Sequence, residues 1–364
     1  MDVRIHLPRR VLGAGDGNRA KKAERLQSFR FRDSHLICVK NGSARLGVSC
    51  ACRSLRSDEG WYNTYLLIIR ASMNIGFIGQ GFIGKNYADD FEKRGYDVER
   101  YALEAPYNEN KHRIASCNIV FVAVPTPTTP AGFDDSMVRD AILVTAPGTI
   151  VVIKSTMTVG STERIQHDVP DRIILHSPEF LTESKAAYDA AHPTRNIVGI
   201  SADTSEQREA ATQVLAVLPS APFSLICTAK EAELIKYTAN CFLFTKVIFA
   251  NLMHDLAERN GASWDTIREG VAADPRIGGS HFRVIDTSGH HGAKPGRGAG
   301  GHCFIKDFAA LRAMYAESLA DDTLGLAVLE SLEAKNKQLL TDSNKDTDLL
   351  YGVYGEQVRK TESE

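Results

Sequence analysis

From residue 73 onward the chain alternates short apolar runs with stretches of helical period. Strands are predicted over 74–78, 98–103, 119–124, 149–153, 173–176 and 196–200. Nearly continuous apolar runs of this length suit strands buried on both faces, and helical stretches such as 86–94 fall between them. That alternation predicts an α/β fold with a doubly wound parallel sheet at its N-terminal end. From Lys230 to about Arg259 there is neither glycine nor proline, which predicts a long helix that leaves the sheet and opens a second, helical region. Residues 1–72 show no sustained helical or strand period. The expected organisation is therefore an extension over 1–72, a sheet domain over 73–228, a helical central domain over 229–340 and a polar tail over 341–364.

Composition narrows the class. A length of 364 residues suggests about two domains, and 43% hydrophobic with 24% charged residues is a soluble globular balance. The net charge of −2 gives no reason to expect nucleic acid or an acidic membrane surface as a partner. Residues 65–69 are apolar but too few to span a bilayer, so no membrane anchor is expected. Seven scattered cysteines without a CxxC pair indicate neither a disulfide framework nor a zinc site; we read a reducing, cytoplasmic setting and no metal. Residues 1–72 carry 14 Lys and Arg against 6 Asp and Glu, so the rest of the chain is acidic. We expect this basic extension to be poorly structured, and to be an upstream translation that the native protein lacks rather than an arm or an acid-poor mitochondrial presequence.

Chemistry enters at the first strand. Gly79, Gln80, Gly81, Phe82, Ile83 and Gly84 fit G-x-G-x-x-G between an apolar strand and a helical stretch. The glycines permit a tight turn, close approach to a pyrophosphate at the helix N-terminus and close packing of strand on helix, which points to a dinucleotide. Val124, Pro125, Thr126, Pro127 and Thr128 open a proline-rich loop at a strand end, either a ligand edge or a rigid turn. On the long helix, Lys236 and Asn240 stand four residues apart on one face amid apolar neighbours, where a cation and an amide can meet one substrate. Finally, Gly298, Ala299, Gly300 and Gly301 precede His302, Cys303, Phe304, Ile305, Lys306 and Asp307. Glycines let backbone approach a ligand, and a neighbouring ammonium favours the thiolate that makes cysteine a nucleophile.

Taken with Lys154-Ser155-Thr156, with 177–183 (SPEFLTE) and with 274–278 (DPRIG), these motifs in this order and spacing resemble the nucleotide-sugar dehydrogenase family from Met73 to about residue 340. The resemblance implies NAD as cofactor, a nucleotide-sugar substrate and two successive oxidations of a primary alcohol to a carboxylate. It implies that Lys236 and Asn240 serve the first oxidation, that Cys303 forms the thiohemiacetal and thioester of the second, and that Glu179, Thr156 and Asp307 orient the hydrolytic water. Cofactor contacts would come from Gly79 to Gly84, Val124 to Thr128, Ser155 and Glu183. Substrate contacts would come from Phe180, Leu181, Gly298, Ala299 and Gly300, while Lys306 would either lower the thiol pKa or touch substrate. Arg276 would reach the sugar nucleotide of a neighbouring subunit, implying a homodimer through the long helix.

The chain departs from the family pattern in places. The acidic residue expected at the end of the second strand is Ala102, with Glu104 two residues on as its substitute; Arg100 alone sits near a possible 2′-phosphate, so NAD is read over NADP. Ala299 and Ile305 stand where an aromatic and a proline are usual. Only 57 residues follow Asp307, too few for the second Rossmann-like domain that closes over the substrate in the family. Two other readings compete: a 3-hydroxyacid dehydrogenase, which needs no cysteine, and a non-catalytic subunit that binds NAD or a sugar nucleotide.

Overall fold

The computed structural model describes residues 73–355 and, upstream of them, the backbone of three strands. These are β1 (Ser28–Arg32), β2 (His35–Lys40) and β3 (Ser43–Arg45), paired antiparallel in that order. The expected extension otherwise lies outside the described residues, and where it is described it is strand. The chain separates into two units, Met1–Ile69 and Arg70–Glu364.

In the second unit β4 (Ile75–Ile78) leads into α1 (Phe82–Lys93), then β5 (Val98–Tyr101), the short α2 (Lys111–Ile114) and β6 (Ile119–Val122). A small hairpin of β7 (Thr128–Thr129) and β8 (Gly132–Phe133) precedes α3 (Ser136–Leu143), β9 (Ile150–Ile153), α4 (Ser161–Asp168) and β10 (Ile173–His176). Next come α5 (Ala186–Ala191), β11 (Arg195–Ile200), α6 (Ser205–Val217) and β12 (Phe223–Thr228). The helical part holds α7 (Ala229–Arg259), α8 (Trp264–Ala272), α9 (Gly301–Ser318), α10 (Thr323–Asp342) and α11 (Thr347–Tyr354).

Seven strands form one sheet in the order β12-β11-β10-β9-β6-β4-β5. All neighbours pair parallel except β10 and β11, which run antiparallel. The doubly wound parallel sheet expected from the sequence thus carries one reversed step, and β12 is a strand the apolar runs did not announce. β4, β6 and β9 are buried at every residue, as strands covered on both faces must be. Phe77, Phe91 and Phe121 meet on one face with centroids 4.9–5.3 Å apart. On the other face Val120, Val122, Val151 and Ile153 pack under Ile142 and Ile165. Truncating one of these phenylalanines to Ala would cost roughly 3–5 kcal/mol.

The chain order reverses about β4, with β5 on one side and β6 on the other, and such a switch point leaves a crevice at the carboxyl ends of the strands. α7 begins at a capping box, Thr228 with Glu231. Its third core cluster joins Tyr237, Phe244 and Val247 to Phe308 and Ala310 of α9 and Leu339 of α10, with Phe244 and Phe308 stacked at 3.9 Å. The expected polar tail proves to be folded in its first part: Lys345, Asp346 and Leu350 are buried, and α11 packs on α9. Among the described residues no helix is long and apolar enough to cross a membrane.

Candidate active site

Three loops at the carboxyl ends of β4, β6 and β9 lock together. The Ser155 hydroxyl donates to Val124 O at 2.6 Å and accepts from Val124 N–H at 3.1 Å, while the Thr126 hydroxyl donates to Thr156 O at 2.9 Å. Gly79 takes φ +91°, and a Cβ there would lie 2.3 Å from Ala123 O; one on Gly84 would lie 1.9 Å from Gly79 O. A Cβ on Gly81, at the N-cap of α1, would meet nothing within 4 Å. Two glycines therefore close the turn, and the third leaves an open cradle at a helix N-terminus, which fits a dinucleotide's pyrophosphate. Beside it a cavity of about 700 Å³ is lined by Phe82, Asn86 and Glu183. Glu104 is exposed beyond the end of β5. Arg100 is already held by Asp89 at 2.7 Å, Glu92 at 2.8 Å and Gln80 at 3.2 Å, and so is committed within the protein.

A cluster of buried polar groups forms where β10 ends beside α7. Lys236 and Glu179 are both buried, and the ammonium donates to Glu179 Oε1 at 2.7 Å and to Glu179 O at 2.8 Å. The second carboxylate oxygen accepts from Leu181 N–H at 2.6 Å. Burial alone would lower the Lys236 pKa, but Glu179, Cys303 and Asp307 outweigh it and raise it, so the group is an ammonium. One turn on, Asn240 donates to Asp307 Oδ2 at 2.7 Å, and Lys306 bonds the other oxygen. Cys303 stands in the first turn of α9 facing these groups; the residue is open to solvent on one side while protein crowds round its sulfur on the other. Its thiol is pushed up to about 11, first by desolvation and then by Asp307 and Glu179, against the opposing pull of Lys236 and Lys306. The expectation that a neighbouring ammonium favours the thiolate is met by Lys236 and Lys306, but desolvation, joined by Asp307 and Glu179, outweighs them.

The structure brings Glu179, Lys236, Asn240, Cys303, Lys306 and Asp307 to one place, with Thr156 buried at the end of β9. Phe180 is half-buried, with Lys236 Nζ 5.7 Å from its ring centre. Leu181 follows it at the same edge. Arg276 is apart: its guanidinium pairs with Asp274 at 2.6 Å and is 88% exposed. The glycine loop differs most from expectation. Ala299 lies in the helical core and is tied through backbone N–H and O to the Asn336 amide at 2.7 and 3.0 Å, instead of facing a ligand. A Cβ on Gly298 would sit 3.0 Å from Asn336 Oδ1, and one on Gly300 would sit 2.0 Å from Asp346 Oδ2. These glycines admit other parts of the protein, not only a substrate.

Sequence reasoning missed one buried group, Glu233, and gave a second, Lys154, no role. Glu233, one turn before Lys236, accepts from Gly160 N–H at 2.6 Å, Thr162 N–H at 2.9 Å and the Thr162 hydroxyl at 2.6 Å, capping α4 from α7. Its position three residues before Lys236 was the available signal. Lys154 is enclosed, with its ammonium 3.2 Å from Ser177 Oγ and 4.4 Å over the Tyr87 ring, and burial drives its pKa down to about 7.

A glycine cradle at the switch point of a mostly parallel sheet, with a cysteine, lysine and carboxylate cluster at the same edge, defines a dinucleotide-binding protein of Rossmann type with a second, polar centre. The chain belongs to the UDP-glucose/GDP-mannose dehydrogenase family: residues 101–217 match its NAD binding domain and residues 230–338 its central domain. It is 33% identical to UDP-glucose 6-dehydrogenase of Rhizobium meliloti over 55% of this chain and 46% of that protein. To the enzyme of the same name from Pseudomonas aeruginosa it is 33% identical over 68% and 54%. The structure of a UDP-glucose dehydrogenase from the archaeon Pyrobaculum islandicum superposes with a TM-score of 0.62 at 27% identity, covering 74% of this chain and 71% of that one. The chain spans about half the length of the curated relatives it matches.

Proposed function

We propose that the protein oxidises the primary alcohol of a nucleotide-linked hexose, of the UDP-glucose type, to the carboxylate in two NAD-dependent steps. The observation that carries this reading is the joining of Lys236 to Glu179 and of Asn240 to Asp307 around Cys303. NAD+, bound by the Gly79–Gly84, Val124–Thr128, Ser155, Glu183 and Glu104 edge, supplies the hydride acceptor twice per substrate.

In the first step the alcohol oxygen lies between the Lys236 ammonium and the Asn240 amide, which stabilise the charge that develops on it. Because Lys236 is held as a cation, the alcohol proton leaves through water beside Asp307 rather than to the lysine amine. The departing hydride and proton leave an aldehyde. The S–H bond of Cys303 then breaks as Sγ bonds to the aldehyde carbon, and the carbonyl oxygen takes up that proton, giving a thiohemiacetal. Loss of the second hydride and of that proton yields the thioester. Water oriented by Asp307, Thr156 and Glu179 adds to it and the C–S bond breaks, releasing the carboxylate and returning the thiol. The balance is one alcohol, one water and two NAD+ giving one carboxylate, two NADH and three protons. Phe180, Leu181 and Lys306 form the sugar-nucleotide side of the site, and the 298–300 loop, packed on Asn336 and Asp346, supports the cysteine-bearing turn from behind.

A homodimer through α7 goes with this reading. Leu234, Phe242, Phe249, Leu252 and Leu256 form one exposed apolar stripe along that helix, of the kind that marks an interface. Arg276 on its exposed turn would then serve the neighbouring site. We place the enzyme in the cytoplasm, where its cofactor and a reduced thiol are available.

Purified protein given NAD+ and a panel of sugar nucleotides should form two NADH for each substrate consumed. A ratio of one, or no turnover with any member of the panel, would sink the double oxidation.

A further inference from the structure

α9 carries Cys303 in its first turn, and that turn lacks the usual means of holding itself. The N-cap residue is Gly300, which has no side chain to accept from the orphan N–H groups, and no acidic residue stands in the first turn. The missing acceptor comes from 45 residues downstream. Asp346 Oδ2 accepts from Gly301 N–H at 2.8 Å and from the Ser288 hydroxyl, while Oδ1 lies 2.9 Å from His290 Nε2. Its side chain is 1% exposed. The neighbouring residue grips the other end of the turn, since the buried Lys345 ammonium donates to Gly298 O at 2.9 Å. Adjacent residues thus clamp both ends of the 298–301 segment.

The local backbone is bent to make this contact. Asp346 sits at φ +51°, in the left-handed region that residues other than glycine disfavour. Burial would raise the Asp346 pKa, but bonds from Ser288, His290 and Gly301 lower it below the usual carboxylate value, so the acceptor is an anion at neutral pH. An anion is also the charge that the positive end of a helix favours. His290 in turn meets the ring of His302, next to the cysteine, with centroids 5.1 Å apart.

We propose that Asp346 is a positioning residue for the nucleophile: it caps the cysteine-bearing helix from a distance and, with Lys345, fixes the turn that presents Cys303 to Lys236. This rests on the reading of Cys303 as the nucleophile. The groups that act directly on the thiol are Lys236 and Glu179 from the α7 and β10 side and Lys306 and Asp307 from α9 itself; none of them changes when Asp346 is replaced.

The test uses the full chain without substrate. Iodoacetamide labelling of Cys303, located by peptide mass spectrometry with Cys303→Ala as the identity control, is followed against pH for the wild type, Asp346→Asn and Asp346→Ala. Removing the anion from the helix start should lower the labelling midpoint by about half a pH unit, which is about threefold faster labelling below the midpoint. Asp346→Asn keeps an acceptor for Gly301 and should melt close to the wild type, so it decides the matter if Asp346→Ala does not fold. In turnover, Asp346→Ala should lower kcat about tenfold with an unchanged KM for NAD+. Wild-type midpoints in every folded variant overturn the proposal, as does an Asp346→Ala whose sole change is a lower melting temperature. Failure of the dehydrogenase reading would appear separately, as a wild type without turnover, and leaves the labelling comparison intact.

Discussion

At the ends of β4 and β6 the protein offers a ligand mostly backbone: a glycine turn, a cradle left open by Gly81 and a proline-rich loop pinned by Ser155. Further along the same sheet, at the end of β10, it offers buried charge instead, in the Lys236–Glu179 pair and the Asn240–Asp307 pair. The first region presents short continuous segments pinned to one another across 31 positions, and the second joins single side chains 57 and 67 positions apart. Backbone recognition is cheap to fold, because its polar groups are exposed until the ligand arrives. Buried charge costs several kcal/mol of desolvation per ion and is held only by its partner. The two regions should therefore fail in different ways.

The largest effect is expected where a charge loses its partner. Lys236→Met leaves Glu179 buried without its cation and should destabilise the fold by on the order of 3–5 kcal/mol, read from denaturant midpoints. A loss under about 1 kcal/mol would mean that the pair is not the structural unit described.

Within the cofactor region, two alanine substitutions should part company. Gly84→Ala drives a methyl to within 1.9 Å of a carbonyl oxygen and should cost roughly 1–3 kcal/mol of stability. Gly81→Ala meets nothing in the protein, so its melting temperature should hold while NAD+ affinity, measured by titration, falls about tenfold. Equal behaviour of the two would erase the distinction between a glycine needed by the fold and one needed by the ligand.

The smallest effect sharpens the cost of burial. Lys154 has a folded pKa of about 7, below the ordinary 10.5. Between those values the unfolded chain binds a proton that the folded chain does not, so stability rises with pH. The stability difference between wild type and Lys154→Met should climb by roughly 1–2 kcal/mol from pH 7 to 8.5, the thiol titrations being common to both proteins. A flat difference over that window would place the lysine in a wetter setting.

The same contrast explains what could be read from the sequence. Gly79, Gly81 and Gly84 announce themselves because conformational freedom, close packing and ligand approach fall at fixed spacing. The strand positions were legible because burial on both faces leaves an unbroken apolar run. The reversal of β11 was not, since an apolar run has no direction and the 177–194 connection sets it. The loop before Cys303 was half legible: glycine tells that something comes close but not what, and here Asn336 and Asp346 come close. Nothing in the polar composition of 341–346 signals that Lys345 and Asp346 are buried, because a charged residue is buried only by virtue of partners elsewhere in the chain. That Glu179, Lys236, Asn240, Cys303 and Asp307 would come together was legible through the order of seven motifs, not through any local rule.

Glu233, Lys236 and Asn240 share one face of α7, and each is engaged by a different part of the molecule: the start of α4, the end of β10 and the first turns of α9. One inserted or deleted residue between them would turn everything beyond it by about 100° about the helix axis. Substitution at each position has graded consequences, but a change of length does not. This stretch is therefore a phase reference, in which mechanics fixes the count of residues more strictly than any single side chain.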